Sequence, residues 1–487
     1  MGSERWSLRR VTALLGLVML IAAAPRLWHI ERRGPFVLDE AVFVLEGQWI
    51  VSLAQALGKS IELRREEGRT GADVWKLENE IQKFREIRGI PLYYGRPMHS
   101  LLVGLTSLAV GFRPWAGALC SAVFSLGCIV LTFLIARRWY SDAVAWVAAL
   151  LFAVSGYATL YARSALAEMT SNFFLLGSVL AYIYSRERDP ERSYPYVIVS
   201  GFLWGVAITT HDRWLTMLPL LWVAEMHLWW KVRPVPWGAY VWRALLFHVF
   251  LLVPHALFEL PYHAALVFAR MFDVHLGIQT HWEQVLGNLL RAAKTGGGGF
   301  DPMNLLTYPY LMLQFDGPLI PLAYLGGLVF AFRRRQWTDL LLAFWFLYPL
   351  AYASLTLARA RYASAAFAPG AILGALFLVE WVGPWIARRR APRWAGTAAL
   401  ALFGAVSLGA TAHMIHESRL GYDEAYAFLA KEPTTRHVST AAMISEVYLG
   451  RVAVDPPVDE AEMRARYDEG YRYVVVEPFA YYMKEFV

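Results

Sequence analysis

Long apolar runs alternate with short basic clusters along this chain, and the alternation predicts a bundle of membrane helices. A helix needs about 20 apolar residues to cross the hydrocarbon core. Runs of that kind fall at 8–30, 114–136, 143–161, 165–185, 195–211, 214–230, 239–258, 318–332, 338–357, 362–386 and 393–414. The basic clusters come next. Arg9 and Arg10, Arg137 and Arg138, Arg186 to Arg192, Lys231 to Arg233, Arg333 to Arg335, and Arg388 to Arg393 recur on one side of successive spans. The positive-inside rule makes that side the cytoplasm. One apolar run, 98–112, is too short to cross. A full crossing there would also send every later cluster outside. It therefore reads as a helix that dips into the outer leaflet or lies in it. The expected fold is an all-α polytopic membrane protein of about eleven spans plus this re-entrant or interfacial helix, because lipid excludes irregular exposed backbone.

The polar stretches set the domain plan. Residues 1–415 read as the membrane domain, with external loops at 31–113 and 259–317. Within the first loop, Ile61 to Ile87 is charged and amphipathic and suits a membrane surface. Within the second, Gly296 to Gly299 cannot hold one conformation cheaply. Residues 416–487 alternate helix-like stretches (YDEAYAFLAKE, VDEAEMRARYDEG) with β-rich ones (RHVST, RVAVD, YRYVVVEP). That pattern predicts a small extracytoplasmic α/β domain. Its length is marginal for independent folding, so it should lean on the membrane part.

Composition agrees and narrows the class. Of 487 residues, 57% are hydrophobic and 17% charged, which excludes a disordered chain and disfavours a soluble enzyme. The 20 Trp and 25 Tyr suit interfacial aromatic belts. The net charge of +7 sits in the topology clusters and carries no nucleic-acid signature. Cys120 and Cys128 share one apolar run. At about 1.5 Å per residue they stand roughly 12 Å apart along a helix, beyond the roughly 7 Å a disulfide allows. The N-terminal apolar stretch ends at Pro25, Arg26, Leu27 and Trp28 without a small-residue cleavage site, and reads as an uncleaved first span.

Charges that topology does not explain carry the chemistry. Asp39 and Glu40 stand just beyond the first span, with Arg96 later in the same loop. Arg163 and Glu168 sit at an outer hairpin (YARSALAEMTSNFF), His211, Asp212 and Arg213 at the next (TTHDRWLT), and Arg359 and Arg361 at a third (LARARYAS). All four loops meet the outer membrane face. Together they suit a substrate bearing phosphate and hydroxyl groups, since arginine binds phosphate as a fork and a carboxylate serves as base or metal ligand. Plainer readings stand beside these. Arg163 with Glu168 also fits a structural ion pair, Arg213 a residue snorkelling to headgroups, and Asp39-Glu40 a solvated loop start. His263, His275 and His281 have no metal-site spacing, and His248 and His255 read as core. No Walker loop, GxSxG, HExxH or CxxC motif is present.

These residues resemble the GT-C superfamily of integral-membrane glycosyltransferases, most of all family 39, with protein O-mannosyltransferases and lipid A aminoarabinose transferases. The resemblance covers roughly residues 10–386. Asp39-Glu40 is similar to the family's Asp-Glu pair after span one. Gly95-Arg96-Pro97-Met98 resembles its Lys-Pro-Pro element, with Arg for Lys and Met for the second Pro. Arg163 to Glu168 resembles its Arg-then-acid hairpin, with Glu where Asp is commoner. His211 takes the place of a basic residue ahead of a proline such as Pro219, and Arg361-Tyr362 with Pro369 resembles its late Arg-Tyr element.

The resemblance implies transfer of a sugar from a polyprenyl-phosphate donor to a glycan, lipid or protein acceptor outside the cytoplasmic membrane, usually with inversion. It implies Asp39 as base, with Glu40 and Glu168 as further catalytic residues. Arg96, Arg163, His211, Arg213, Arg361 and Tyr362 become the residues for the donor phosphate, and a divalent metal at Asp39 and Glu168 stays open. Two rival classes remain on the sequence alone. One is a flippase for an anionic lipid-linked glycan, which would also need intramembrane charges, although no inverted repeat or interrupted helix pair is visible. The other is a non-catalytic assembly protein.

Overall fold

A computed structural model describes residues 6–34, 39–51, 96–271 and 303–476, apart from short breaks within them; side chains at 261–271 are not described. The amphipathic stretch 61–87, the four glycines, and His275 and His281 lie outside these residues, as does the side chain of His263.

Every predicted span falls on helix. The first is α1 (Leu8–Leu27), capped by the Ser7 side chain. Residues 39–48 form α2. Then come α3 (Pro97–Val110), α4 (Ala116–Trp139), α5 (Asp142–Val154), α6 (Gly156–Ala162), α7 (Glu168–Arg186) and α8 (Pro190–Thr210). A 3-10 turn over Asp212–Met217 leads into α9 (Leu218–Lys231) and α10 (Trp237–Met271). The second half holds α11 (Asn304–Asp316), α12 (Leu319–Arg334), α13 (Trp337–Thr356), a 3-10 turn over Ala360–Ala366, α14 (Phe367–Phe377), a π turn over Leu378–Val382, α15 (Gly383–Arg388) and α16 (Ala395–Glu417). Among the described residues six helices are long and apolar enough to cross a membrane, or seven if α5 and α6 make one span. The remaining candidates, α7, α8, α9 and α12, are helices of 14–21 residues.

Three differences from the sequence reading have physical causes. The run 143–161 is not one straight helix: α5 and α6 meet at Ser155 with a 64° bend. Ser155 caps α6, its hydroxyl accepting from the Ala158 N–H. Asp316 then accepts from the Ser155 hydroxyl at 2.8 Å and the Tyr157 N–H at 2.9 Å. The carbonyls freed on the α5 side go to Arg26 of α1. That buried guanidinium donates to Ala153 O at 2.8 Å, Phe152 O at 3.2 Å, Ala22 O at 3.1 Å and Ser125 Oγ at 3.0 Å. Second, the loop 259–317 is helical at both ends, since α10 runs on to Met271 and α11 precedes α12. Third, the run 362–386 is interrupted by a π turn.

Helix α3 covers about 21 Å at 1.5 Å per residue, short of the roughly 30 Å hydrocarbon core. It packs against α4 and α8 and crosses α2 at closest approach, where a Cβ on Gly47 would fall 2.7 Å from the Gly104 nitrogen. Only glycines admit that crossing.

Beyond α16 lie α17 (Tyr422–Leu429), β1 (His437–Ser439), α18 (Ala442–Leu449), α19 (Glu460–Asp468) and β2 (Tyr473–Val475). The two strands are parallel, with His437 opposite Tyr473, and Val454 bridges Val438. This unit buries Ala41 of α2 among Tyr422, Tyr426, Leu429 and Ile444.

Candidate active site

Four chain segments far apart in sequence meet at one end of the bundle. Asp39, at the start of α2, forms an ion pair with Arg361 of the 360–366 turn. That turn is fixed from several sides. The Tyr157 hydroxyl donates to Ala360 O at 2.6 Å, Tyr308 to Arg359 O at 3.1 Å, and Asn172 Nδ2 to Ser364 O at 2.9 Å. Arg213 adds two bonds, to Arg361 O at 3.2 Å and Ser364 Oγ at 2.9 Å.

Glu168, the first residue of α7, is fully buried. His211 Nε2 and Arg213 Nη1 approach its Oε1 only to 3.8 and 3.9 Å. Neither carboxylate oxygen has a hydrogen-bond partner among the described residues. Neither do Arg96 Nη1, Arg213 Nε, Arg361 Nε or His211 Nε2. The Tyr362 ring lies between these charges, with the Arg213 and Arg361 guanidiniums 5.7 and 5.8 Å from its centroid. Arg96 rests over Phe43 of α2, 5.3 Å from the ring centre, and acts electrostatically on both His211 and Arg213. Burial, reinforced by Arg96 and Arg213, pushes the His211 imidazole well below its ordinary value. It is therefore neutral at pH 7, held by Asp212 at 3.0 Å.

Asp39, Arg96, Glu168, His211, Arg213, Arg361 and Tyr362 thus form one group. Glu40 and Arg163 form another beside it. Glu40 accepts from the Ala165 N–H at 3.0 Å and lies 3.5 Å from Arg33 Nη2. Arg163 Nη1 donates to the carbonyls of Pro25, Arg26 and Trp28 at 3.0, 3.3 and 2.7 Å, closing the end of α1. The Arg163–Glu168 ion pair that their spacing suggested does not form; each has other neighbours.

Sequence reasoning missed Arg33, Asn172, Tyr308 and Ser364, which hold the charged residues in place. It also missed Tyr161, which lies within electrostatic reach of Glu168, Arg361 and Arg213. Arg33 had a signal, being a third charge in ERR ahead of the Asp-Glu pair. The others look like ordinary core residues in sequence.

A metal does not suit this group. Among the described residues no three Asp, Glu, His or Cys side chains converge as ligands. Asp39 is engaged by Arg361, and that same guanidinium interacts with Glu168.

Residues 95–257 match the family described as dolichyl-phosphate-mannose-protein mannosyltransferase. The structure is similar to that of ArnT from Cupriavidus metallidurans, at 15% identity and a TM-score of 0.62, covering 96% of this chain and 89% of that one. ArnT bound to undecaprenyl phosphate matches equally, at 14% identity, a TM-score of 0.62 and coverage of 97% and 90%. Over residues 95–257 the chain is thus similar to that family, and its fold is similar to that of these membrane proteins. The oligosaccharyltransferase AglB from Archaeoglobus fulgidus, in complex with an inhibitory peptide and a dolichol-phosphate, is also similar, at 12% identity and a TM-score of 0.57. The chain aligns over 92% of its own length with AglB but spans only 64% of it. No curated protein matches it in sequence.

Proposed function

We propose that this protein is a membrane glycosyltransferase of the GT-C type that transfers a sugar from a polyprenyl-phosphate donor to an acceptor hydroxyl at the outer face of the cytoplasmic membrane, with inversion. The observation that carries the reading is the Asp39–Arg361 pair set among buried arginines, with Arg96 Nη1, Arg213 Nε and Arg361 Nε each lacking a hydrogen-bond partner among the described residues. Buried donors are normally satisfied, and phosphate oxygens are acceptors of matching geometry. The likeness to an ArnT bound to undecaprenyl phosphate supports the same ligand class.

The acceptor O–H gives its proton to Asp39 while its oxygen attacks the anomeric carbon. The bond from that carbon to the phosphate oxygen breaks, and its electron pair leaves with the phosphate. As Asp39 takes up the proton, its attraction for Arg361 falls. The guanidinium is then free to neutralise the charge that grows on the leaving phosphate, with Arg96 and Arg213 adding to that stabilisation. Glu168, facing neutral His211, orients the acceptor. Glu40 and Arg163 hold the loop that carries Asp39, and they contact neither reactant.

Purified protein in lipid nanodiscs, given a panel of polyprenyl-phosphate sugars and hydroxyl acceptors, should release free polyprenyl phosphate. Movement of the intact donor across a bilayer with no cleavage would overturn this reading in favour of a flippase.

A further inference from the structure

We infer that the C-terminal unit is the wall that positions Asp39, and that Tyr448 is its principal positioning residue. The inference rests on the proposed function for the role of Asp39, but the contact itself does not.

Helix α2 is short, and Glu40 to Gly47 are all buried. On one side Gly47 and Gly104 lock it to α3. Its N-terminal half, which carries Asp39 and Glu40, is covered instead by the C-terminal unit. Ala41 is fully buried in the cluster of Tyr422, Tyr426, Leu429 and Ile444. Val447 reaches further and packs on the cluster of Val44, Val103, Cys120 and Ala165. Ala165 is also the residue whose N–H holds Glu40. Tyr448 completes the seal. Its ring stacks on Tyr426 with centroids 5.0 Å apart, and a Cβ added at Gly34 would overlap its hydroxyl oxygen. The hydroxyl also acts electrostatically on Arg33 and Glu40. Gly34 therefore lies against the Tyr448 ring, beside the Arg33–Glu40 contact that ties it to the first turn of α2. An aromatic ring confines two rotatable bonds only, so it makes a rigid stop. With the stop removed, α2 keeps its glycine crossing but its first turn is free to swing, which takes Asp39 away from Arg361. A misplacement of about 1 Å is enough to cost about 100-fold in rate.

Full-length protein carrying Tyr448→Ala tests this by hydrogen–deuterium exchange. Amides of residues 39–48 should exchange at least about tenfold faster, while those of α4 and α7 keep their protection. Unchanged exchange over 39–48 would overturn the inference, whether or not the protein transfers sugar. Gly34→Ala should lower kcat for transfer about tenfold, with KM for the polyprenyl-phosphate sugar within about twofold. Tyr448→Phe removes the atom that the new Cβ strikes first, and placed on Gly34→Ala it should recover part of the loss. Failure of that rescue, or a rise in KM with unchanged kcat, would sink the positioning role. Absence of transfer in the unmodified protein would instead refute the proposed function and leave the exchange result to decide the contact.

Discussion

The two ends of α7 carry the same kinds of side chain and treat them differently. At its C-terminal end, Arg186 meets Glu225 at 3.3 Å, and Arg243 donates to Ser193 Oγ at 2.7 Å and Ser185 Oγ at 3.0 Å. Nearby, Asp142 accepts from Arg137 Nε at 2.6 Å, and Asp339 from Tyr140 at 2.7 Å with Arg334 at 3.1 Å. At the N-terminal end, Glu168 is fully buried, yet among the described residues the nearest guanidinium nitrogen, Arg213 Nη1, stands 3.9 Å away. A buried group left without a hydrogen bond costs about 1–3 kcal/mol. One end uses its charges to hold the bundle together. The other leaves both oxygens of Glu168 without a hydrogen-bond partner among the described residues, as expected of a site arranged for a ligand rather than for the fold.

Substitutions can break this contrast. The largest effect should come from Asp39→Asn. Turnover should fall at least about 100-fold, or roughly 2.7 kcal/mol of barrier, while the protein still inserts and folds. Wild-type turnover would remove Asp39 from the mechanism. Next is the paired comparison of Glu168→Gln with Glu225→Gln. The first should lower turnover about tenfold or more and leave the midpoint of thermal unfolding unchanged or raised. The second should lower the midpoint and leave turnover per folded molecule near wild type. If both variants behave alike, the two ends of α7 do not differ in purpose.

Arg361→Ala should weaken binding of polyprenyl phosphate about tenfold or more, measured by titration in nanodiscs. Arg361→Lys should recover it only in part, because a point charge replaces a fork, and Arg333→Ala, an exposed change at the other end, should not alter it. Equal affinity in Arg361→Ala would reduce Arg361 to the partner of Asp39. The smallest effect concerns α2. Burial pushes the Glu46 carboxyl up to about 7, against a weaker opposing hydrogen bond from Ser100. A carboxyl raised on folding favours the folded state below its ordinary value near 4.5, and that contribution is lost as pH rises through about 7. Local opening of α2, followed by exchange corrected for intrinsic rates, should therefore ease between pH 4.5 and 7. Glu46→Gln should flatten that profile, and an unchanged slope would place its source elsewhere.

Much of the bundle was legible because lipid leaves few options. Apolar length and basic ends predict helices, and every predicted span falls on helix, though 143–161 and 362–386 are each interrupted. The bend at Ser155 was not legible, because what stabilises it comes from Arg26 and Asp316, distant in sequence. The site was legible in its charged members, since Asp39, Arg96, Glu168, Arg213 and Arg361 each lack a topological reason to be where they are. Its supporting members were hidden. Asn172, Tyr308 and Ser364 act through single bonds to one turn, and those residue types are ordinary in a core. Sequence also grouped Glu40 with Asp39 and Arg163 with Glu168 by adjacency. Neighbours on a short helix or tight turn leave in different directions, so adjacent residues came to face different partners.

Arg26 has a consequence for how the protein is made. Its hydrogen-bond acceptors at Phe152 and Ala153 are synthesised 126 and 127 residues after it. An arginine inside a membrane costs about 2.5–3.5 kcal/mol at the centre of an isolated helix. Until the fourth and fifth helices emerge, the first one carries that cost alone. The nascent chain therefore has reason to wait beside the insertion machinery, or to sit shallow, and to settle only when the bent hairpin arrives. A chain truncated before residue 152 should be retained or degraded, although its first span is complete.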